Sequence, residues 1–504
     1  MASKNQEKDQ EEFINKLFQE FKIIAVVCNQ WGDTGKGKIV DLFSKEANVV
    51  IRGNGGSNAG HTIKVGNKEI VLHLIPSGIL HENKLNIIGR GVAVELEELV
   101  NEIEYLKNNG IDVNKKNLMI DGNAKIVLPW HKFLDSFSEL SRKIGTTKKG
   151  IGYCIADHYL RIGLTVNDLY SSNLEEKLRD NFEHHRAKIS EIRAKIGSEE
   201  MRDFFENKSK NDFYDEKELF STKKVSRKLR SIGDAVRDFV GKTENAFSEK
   251  KKILLEGAQG LLLSVDYGTT LSKTSSETSY VGLANGCSLN PNDVGFVIGI
   301  VKAYMTRVGN GPFPTEFGSK KSEDYCSVAK KEDEEKLALD ELNLEDEFEF
   351  GIYIRKKGNE YGATTARPRR TGWLDLVALN YAVNYNGPYI VITKADILSN
   401  LKEIKTCIYY TYIGEERFYN GNEIKKNDVF KEFILESDIL RECVPNYKIF
   451  KGWSKDISKI SNKKEIPKEL NEFLEFIKEF SGARIIMLSL SPERYNNVIY
   501  ENLF

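Results

Sequence analysis

No stretch of this 504-residue sequence is long and apolar enough to form a membrane-spanning helix. The first residues, M-A-S-K-N-Q-E-K-D-Q-E-E, lack the apolar core of a signal peptide and are too acidic for a transit peptide. Neither charge predominates. The 74 Lys and Arg stand against 75 Asp and Glu, which argues against a chain held on nucleic acid by bulk positive charge. Cysteine is sparse and scattered. Cys28, Cys154, Cys287, Cys326, Cys407 and Cys443 form no C-x-x-C pair, so they give neither a metal motif nor a disulfide framework. A reducing cytoplasm is the expected location. The 40% hydrophobic and 30% charged residues that are present fit a soluble globular protein. Length alone allows about three domains of roughly 150 residues.

Residues 1–20 read as a polar extension in which Phe13, Ile14, Leu17 and Phe18 mark a short, peripheral amphipathic helix. The remainder, 21–504, reads as one domain. The run F-K-I-I-A-V-V-C-N is expected to be a buried strand followed by a glycine loop and then a helix. Further strands are expected at 47–52, 252–260, 295–301 and 388–396, several ending directly in small or polar motifs. That pattern predicts an α/β fold: a large, mostly parallel central sheet flanked by helices, with ligand loops at strand C-terminal ends. The charged segment 172–250 reads as helices. The charged segment 319–350 reads as a surface insertion.

The loop Gln30–Lys38, Q-W-G-D-T-G-K-G-K, contains the G-x-x-x-x-G-K skeleton of a phosphate-binding P-loop, but Ile39 stands where the P-loop has its hydroxyl. Gly32, Gly35 and Gly37 let backbone amides approach phosphate oxygens, and Lys36 and Lys38 add positive charge. Asp33 would repel a phosphate, so it is expected to be a Mg²⁺ ligand, a general base, or both. The bland alternative is a flexible Gly/Lys turn at a helix start. A second glycine loop, R-G-N-G-G-S-N-A-G-H-T, follows the next strand and carries His61, suited to acid catalysis or phosphate contact. Most lone histidines are structural, but an Asp and a His beside phosphate-cradling glycines fit phosphoryl transfer.

Thr393-Lys394-Ala395-Asp396 resembles the N-K-x-D element of GTP-binding proteins. Its carboxylate would accept from guanine N1–H and the 2-amino group, a donor pair that adenine lacks. At 362–374, G-A-T-T-A-R-P-R-R-T-G-W-L gathers Arg367, Arg369 and Arg370 beside Thr364 and Thr365. Arginine forks suit carboxylates and phosphates, so an acidic second substrate is expected, against the alternative of a basic surface loop.

Taken in order, these motifs resemble the adenylosuccinate synthetase family, the GTP-dependent enzymes that join IMP to L-aspartate. Further segments that carry the resemblance are V-L-H-L-I-P-S-G-I-L (71–80), I-G-T-T-K-K-G-I-G (144–152), L-E-G-A-Q-G (255–260), K-A-Y-M-T-R-V-G-N-G-P-F-P-T-E (302–316) and K-G-W-S (451–454). The resemblance implies a catalytic set of Asp33, Lys36, His61 and Gln259. It implies IMP contacts at Asp33, Asn58, Thr147, Arg161, Gln259, Thr274 and Arg367. For GTP it implies Gly32, Gly35, Lys36, Gly37, Lys38, Gly60, Thr62, Arg369, Lys394, Asp396, Ser489 and Ser491. For aspartate it implies Thr364, Thr365, Arg367 and Arg369. Mg²⁺ would be held by Asp33 and the Gly60 carbonyl. Arg161, in Y-L-R-I-G, matches an arginine that reaches IMP from a second subunit, which implies a homodimer.

The sequence departs from the family pattern at several points. Thr34 replaces an expected Glu, Lys148 and Lys149 replace a Gly-Arg-like pair, and Tyr153 stands where a proline is expected. Ala366 and Ser491 replace loop glycines, and L-S-K-T-S-S-E around Thr274 differs from a Tyr/Pro-rich strand. A GTP-binding switch protein and an inactive nucleotide-binding scaffold are the competing readings. Against the switch, the D-x-x-G at Asp238–Gly241 lies in a charged, helix-like stretch rather than at a strand end. Against the scaffold, both candidate catalytic groups, Asp33 and His61, are present.

Overall fold

The computed structural model describes residues 4–65, 68–138, 145–206, 216–247, 251–362 and 366–504. The β-branched run Ile23–Cys28 forms a strand buried from Ile24 onward. Helices cover both sheet faces, which is why the run shows no polar alternation. The strand lies parallel to Ile253–Glu256 on one side and Phe296–Lys302 on the other. Beyond Ile253–Glu256 come Val49–Arg52, Leu85–Ile88, Leu118–Asp121 and Val240–Gly241; beyond Phe296–Lys302 come Tyr389–Thr393, Arg484–Ser489 and Asn497–Ile499. In this ten-stranded sheet the pair Arg484–Ser489 and Asn497–Ile499 is antiparallel and the other pairs are parallel.

Because the first strand enters the centre and later strands add on both sides, the loops after Cys28, Arg52, Glu256 and Lys302 leave the sheet at one edge. That is the topological switch point where α/β sheets bind ligands. Among the described residues no helix is long and apolar enough to cross a membrane.

The N-terminal segment is a helix, Lys4–Glu20, but its apolar stripe is in the core. Phe13, Ile14, Leu17 and Phe18 are at most 4% exposed and pack with Ile24, Val40, Phe43 and Met487. Gln6 and Gln10 donate to the Asn497 carbonyl, and Gln10 also to that of Tyr495. Burying four such side chains contributes about 6–12 kcal/mol as an upper figure, comparable with a whole domain's net stability.

The segment 319–350 contributes the helices Ser319–Val328 and Lys331–Glu335 and the start of Glu347–Gly358. Much of it is exposed, yet Glu334 is fully buried. Its carboxylate lies 2.8 Å from Arg355 Nε and Nη2 and accepts from the Tyr361 hydroxyl at 2.6 Å. The charged 172–250 stretch forms helices over Leu174–Lys195 and Thr222–Val236, each with one buried apolar stripe.

Candidate active site

The loops at the switch point enclose a cavity of about 940 Å³, at the upper end of the range for small-molecule sites. Its wall includes 31–38, 58–62, 145–147, 259, 272–275, 357–359, 361–362, 393–394, 396–397, 489 and 491–492.

Between the first strand and the helix Lys36–Ser44, the chain turns through left-handed backbone at Gly32 (φ 90°), Asp33 (φ 52°) and Gly35 (φ 78°). Glycine adopts this freely, and Asp is among the few other residues that tolerate it. The turn carries Asp33 outward, where it is exposed. Ile39 is fully buried among Val26, Val40 and Phe43, so it is a core residue and no stand-in for a P-loop hydroxyl. Thr34 is buried too, and its carbonyl accepts from the Thr393 hydroxyl at 2.7 Å. Lys36 is 5% exposed, with Nζ 3.4 Å from the Gln259 carbonyl; burial pulls its pKa down.

Gly37 lets the helix start close on His61, since a Cβ there would sit 3.2 Å from His61 Cβ. His61 Nδ1 lies 2.5 Å from Glu256 Oε1. Glu256 is fully buried and also accepts from the Ser77 amide at 2.8 Å and the Ser77 hydroxyl at 3.1 Å. Burial alone would raise the Glu256 carboxyl, but His61, Arg52 and Ser77 hold it below its ordinary range. Burial lowers the pKa of His61, against the opposing pull of Glu256. With the carboxylate ionised, Nδ1 is the donor to Glu256 and the other ring nitrogen remains for the cavity.

Arg369 links two carboxylates. Its Nε is 2.9 Å from Asp33 Oδ2 and its Nη1 donates to Glu360 Oε2 at 2.8 Å. Glu360 is fully buried and also receives Lys302 Nζ at 2.9 Å, Lys394 Nζ at 2.7 Å and the Tyr304 hydroxyl at 2.5 Å. Burial would raise its pKa, but Lys302, Lys394 and Arg369 outweigh it and hold it well below the usual carboxylate range.

Lys38 is anchored away from the glycine loop. Its ammonium donates to Ser489 Oγ at 2.8 Å, the Ser491 carbonyl at 2.7 Å and the Asn496 carbonyl at 3.1 Å. Those three acceptors use all three of its hydrogens. Asp396 lies on the same side of the cavity. Its Oδ1 is buried with no hydrogen-bond partner, and burial pushes its pKa up to about 6. A buried acceptor left open in a cavity wall is what a ligand donor would satisfy.

Gln259 adopts left-handed backbone (φ 50°) and donates through Nε2 to Asn58 Oδ1 at 2.9 Å, while its Oε1 is buried without a partner. Gly60, Thr62, Thr147, Thr274, Ser489 and Ser491 line the cavity as well. Arg367 and Arg161 are outside the lining of this chain's cavity, and of the two only Arg161 is expected to serve a second copy's site. Arg367 is exposed and is not part of the lining, although Ala366 and Arg369 on either side are. Arg161 is exposed at the end of the helix Ile151–Tyr159, outside this chain's cavity. Thr364 and Thr365 fall outside the described residues. Arg370 is buried, with Nε on Glu316 Oε1 at 2.8 Å and Nη1 on the Gly311 carbonyl at 2.8 Å, so it supports the loop.

Sequence reasoning missed Glu256 and Glu360 as organisers of the site. The first had a signal: a carboxylate at the end of an apolar strand run, I-L-L-E, must find partners if it is buried. Glu360 sits two residues before the arginine loop and carries no comparable mark.

A sequence profile described as adenylosuccinate synthetase matches residues 25–498. The adenylosuccinate synthetase of Clostridium beijerinckii is 38% identical over 483 residues, covering 95% of this chain and 99% of that one. That of Caldicellulosiruptor saccharolyticus is 39% identical over 486 residues, covering 95% and 100%. Among solved structures, a fully ligated adenylosuccinate synthetase from Plasmodium falciparum superposes with a TM-score of 0.74 at 30% identity, covering 95% of this chain and 100% of that one. A cyanophage S-2L succinoaminodeoxyadenylate synthetase shares the fold, with a TM-score of 0.51 at 17% identity over 95% of each chain.

Proposed function

Because the chain belongs to the adenylosuccinate synthetase family, we propose that the cavity at its sheet's switch point runs that family's ligation on the residues described above. The chain has adenylosuccinate synthetase activity: it joins IMP to L-aspartate with GTP, giving adenylosuccinate, GDP and phosphate. The observation that carries the assignment of roles is that Asp33, His61 and Asp396 border one cavity.

In the first step Asp33 takes the N1 proton of IMP. Electron density moves to O6, which attacks the γ-phosphorus of GTP while the bond to the β–γ bridging oxygen breaks. The products are 6-phosphoryl-IMP and GDP. His61, held through Nδ1 by Glu256, donates from its other nitrogen to the phosphates as the imidazolium, the form that the Glu256 carboxylate favours, and Lys36 adds positive charge beside them. In the second step the amino group of aspartate attacks C6, and phosphate leaves carrying O6. The open Oε1 of Gln259 and the neighbouring Asn58, Thr147 and Thr274 suit IMP. Asp396 suits the guanine of GTP, with Ser489 and Ser491 beside it. Thr364, Thr365, Arg367 and Arg369 are assigned to aspartate.

The donor set also fits Mg²⁺. The Asp33 carboxylate and Gly60 both border the cavity, and hard oxygens beside phosphates suit that ion. When bound, Mg²⁺ would offset phosphate charge.

Arg161 is assigned to the active site of a second copy. Tyr159 (79% exposed) and Leu160 (55% exposed) beside it form an apolar surface suited to a subunit contact. The six cysteines, free and buried, fit a reducing cytoplasm.

The direct test mixes the protein with GTP, Mg²⁺, IMP and aspartate and then omits each in turn. Adenylosuccinate should form only in the complete mixture. GTP hydrolysis indifferent to IMP and aspartate would instead favour a switch protein, and GTP binding without turnover a scaffold.

A further inference from the structure

L-Aspartate brings two carboxylates to the site, and the arginine loop has little charge to spare for them. Arg370 is committed to Glu316, with Nη1 also 3.5 Å from Glu323. Arg369 is shared between Asp33 and Glu360. Of the three arginines, Arg367 is the exposed one.

A further cation stands beside this loop. Lys331, from the charged segment 319–350, lines the cavity together with Tyr361, Gly362 and Ala366. Its backbone N–H donates to the Ala366 carbonyl at 2.9 Å, and its Nζ lies 5.6 Å from the centre of the Tyr361 ring. The ammonium's ion pair with Glu335 is long, at 3.6 Å, and that partner is 58% exposed, so little holds it there.

The backbone of Lys331, by contrast, is firmly placed. Glu334, one helical turn on, is fully buried and clamped by Arg355 and Tyr361. Tyr361 is itself part of the cavity wall. The clamp keeps the short helix from sliding and so holds Lys331 at the cavity.

We propose that Lys331 is a binding residue for a carboxylate of the amino-acid substrate, and that the 319–350 segment thereby sets the preference for a dicarboxylic amino acid. The inference rests on the reading of the arginine loop as the aspartate site.

Steady-state kinetics on Lys331→Met, Lys331→Arg and Arg367→Met test both. For Lys331→Met the KM for aspartate should rise about tenfold, a modest effect because the ammonium is partly exposed. The KM values for IMP and GTP, and kcat at saturating aspartate, should stay within about twofold. Lys331→Arg should restore most of the loss. The aspartate KM of the unsubstituted enzyme should also climb more steeply with salt than that of Lys331→Met. A purely structural role would lower melting temperature and kcat without this charge dependence. An unchanged aspartate KM in Lys331→Met, with a raised one in Arg367→Met, overturns the role of Lys331 and leaves the loop assignment standing. If neither variant moves it, the loop assignment fails and the inference falls with it.

Discussion

Arg369 holds Asp33 and Glu360 on one guanidinium, its Nε 2.9 Å from the exposed carboxylate and its Nη1 2.8 Å from the buried one. Glu360 in turn gathers Lys394, whose own loop carries Asp396. Ionic contacts therefore link the proposed base to the loop that carries the proposed guanine reader.

Asp33→Asn keeps the size of the side chain and removes the base. It should lower kcat by about 10³-fold or more, within the range of a lost general base, with little change in melting temperature because the residue is exposed. Stopped assays with mass detection of adenylosuccinate measure the first and thermal unfolding the second. Retention of a substantial part of the wild-type rate would remove Asp33 from this role.

Protonation of Asp396 should weaken GTP. Its pKa is pushed up to about 6 by burial, and only the ionised carboxylate can accept from both guanine donors. Binding then favours the charged form, so the KM for GTP should be flat above that pH and rise as pH falls through it, by up to about tenfold per unit. Asp396→Asn should flatten this profile and improve xanthosine triphosphate relative to GTP. An unaltered nucleotide preference would show that Asp396 does not read the base.

Lys38→Met should act on the nucleotide side of the site. It strips the donor from Ser489, Ser491 and Asn496 together, leaving two carbonyls and a hydroxyl unmatched. A loss of about 2–4 kcal/mol in stability is expected, with the KM for GTP rising more than that for IMP. A GTP-specific change with no loss of stability would point to direct phosphate contact instead.

Mixing two variants tests whether Arg161 serves the active site of a second copy. Arg161→Leu and Asp33→Asn chains should each be nearly silent alone. Co-refolded in equal amounts they should regain about a quarter of wild-type activity, because half of random dimers are mixed and each mixed dimer has one intact site. No recovery, with dimers confirmed by sedimentation, would place Arg161 outside the neighbouring site.

The sheet was legible because its strands are short apolar runs ending in glycine or polar motifs, as in I-I-A-V-V-C before N-Q-W-G-D. The expected strand at 388–396 spans Tyr389–Thr393, and the one at 295–301 spans Phe296–Lys302. Less legible were contacts between residues far apart in the chain. The spacing of Phe13, Ile14, Leu17 and Phe18 marks a helix face, but nothing local says that Met487 and Asn497 cover it. Lys38 sits in a phosphate-loop pattern, and its partners lie more than 450 positions away. Glu334 reads as one acid among many in K-E-D-E-E, and only packing singles it out. Composition shows that a segment is charged but not which single carboxylate is buried.

Oxygen-18 at O6 of IMP tests most directly whether IMP is phosphorylated on O6 before aspartate attacks. The label should appear in the inorganic phosphate released with adenylosuccinate, one atom for each product molecule formed. Unlabelled phosphate, with the oxygen-18 found in water, would contradict the account.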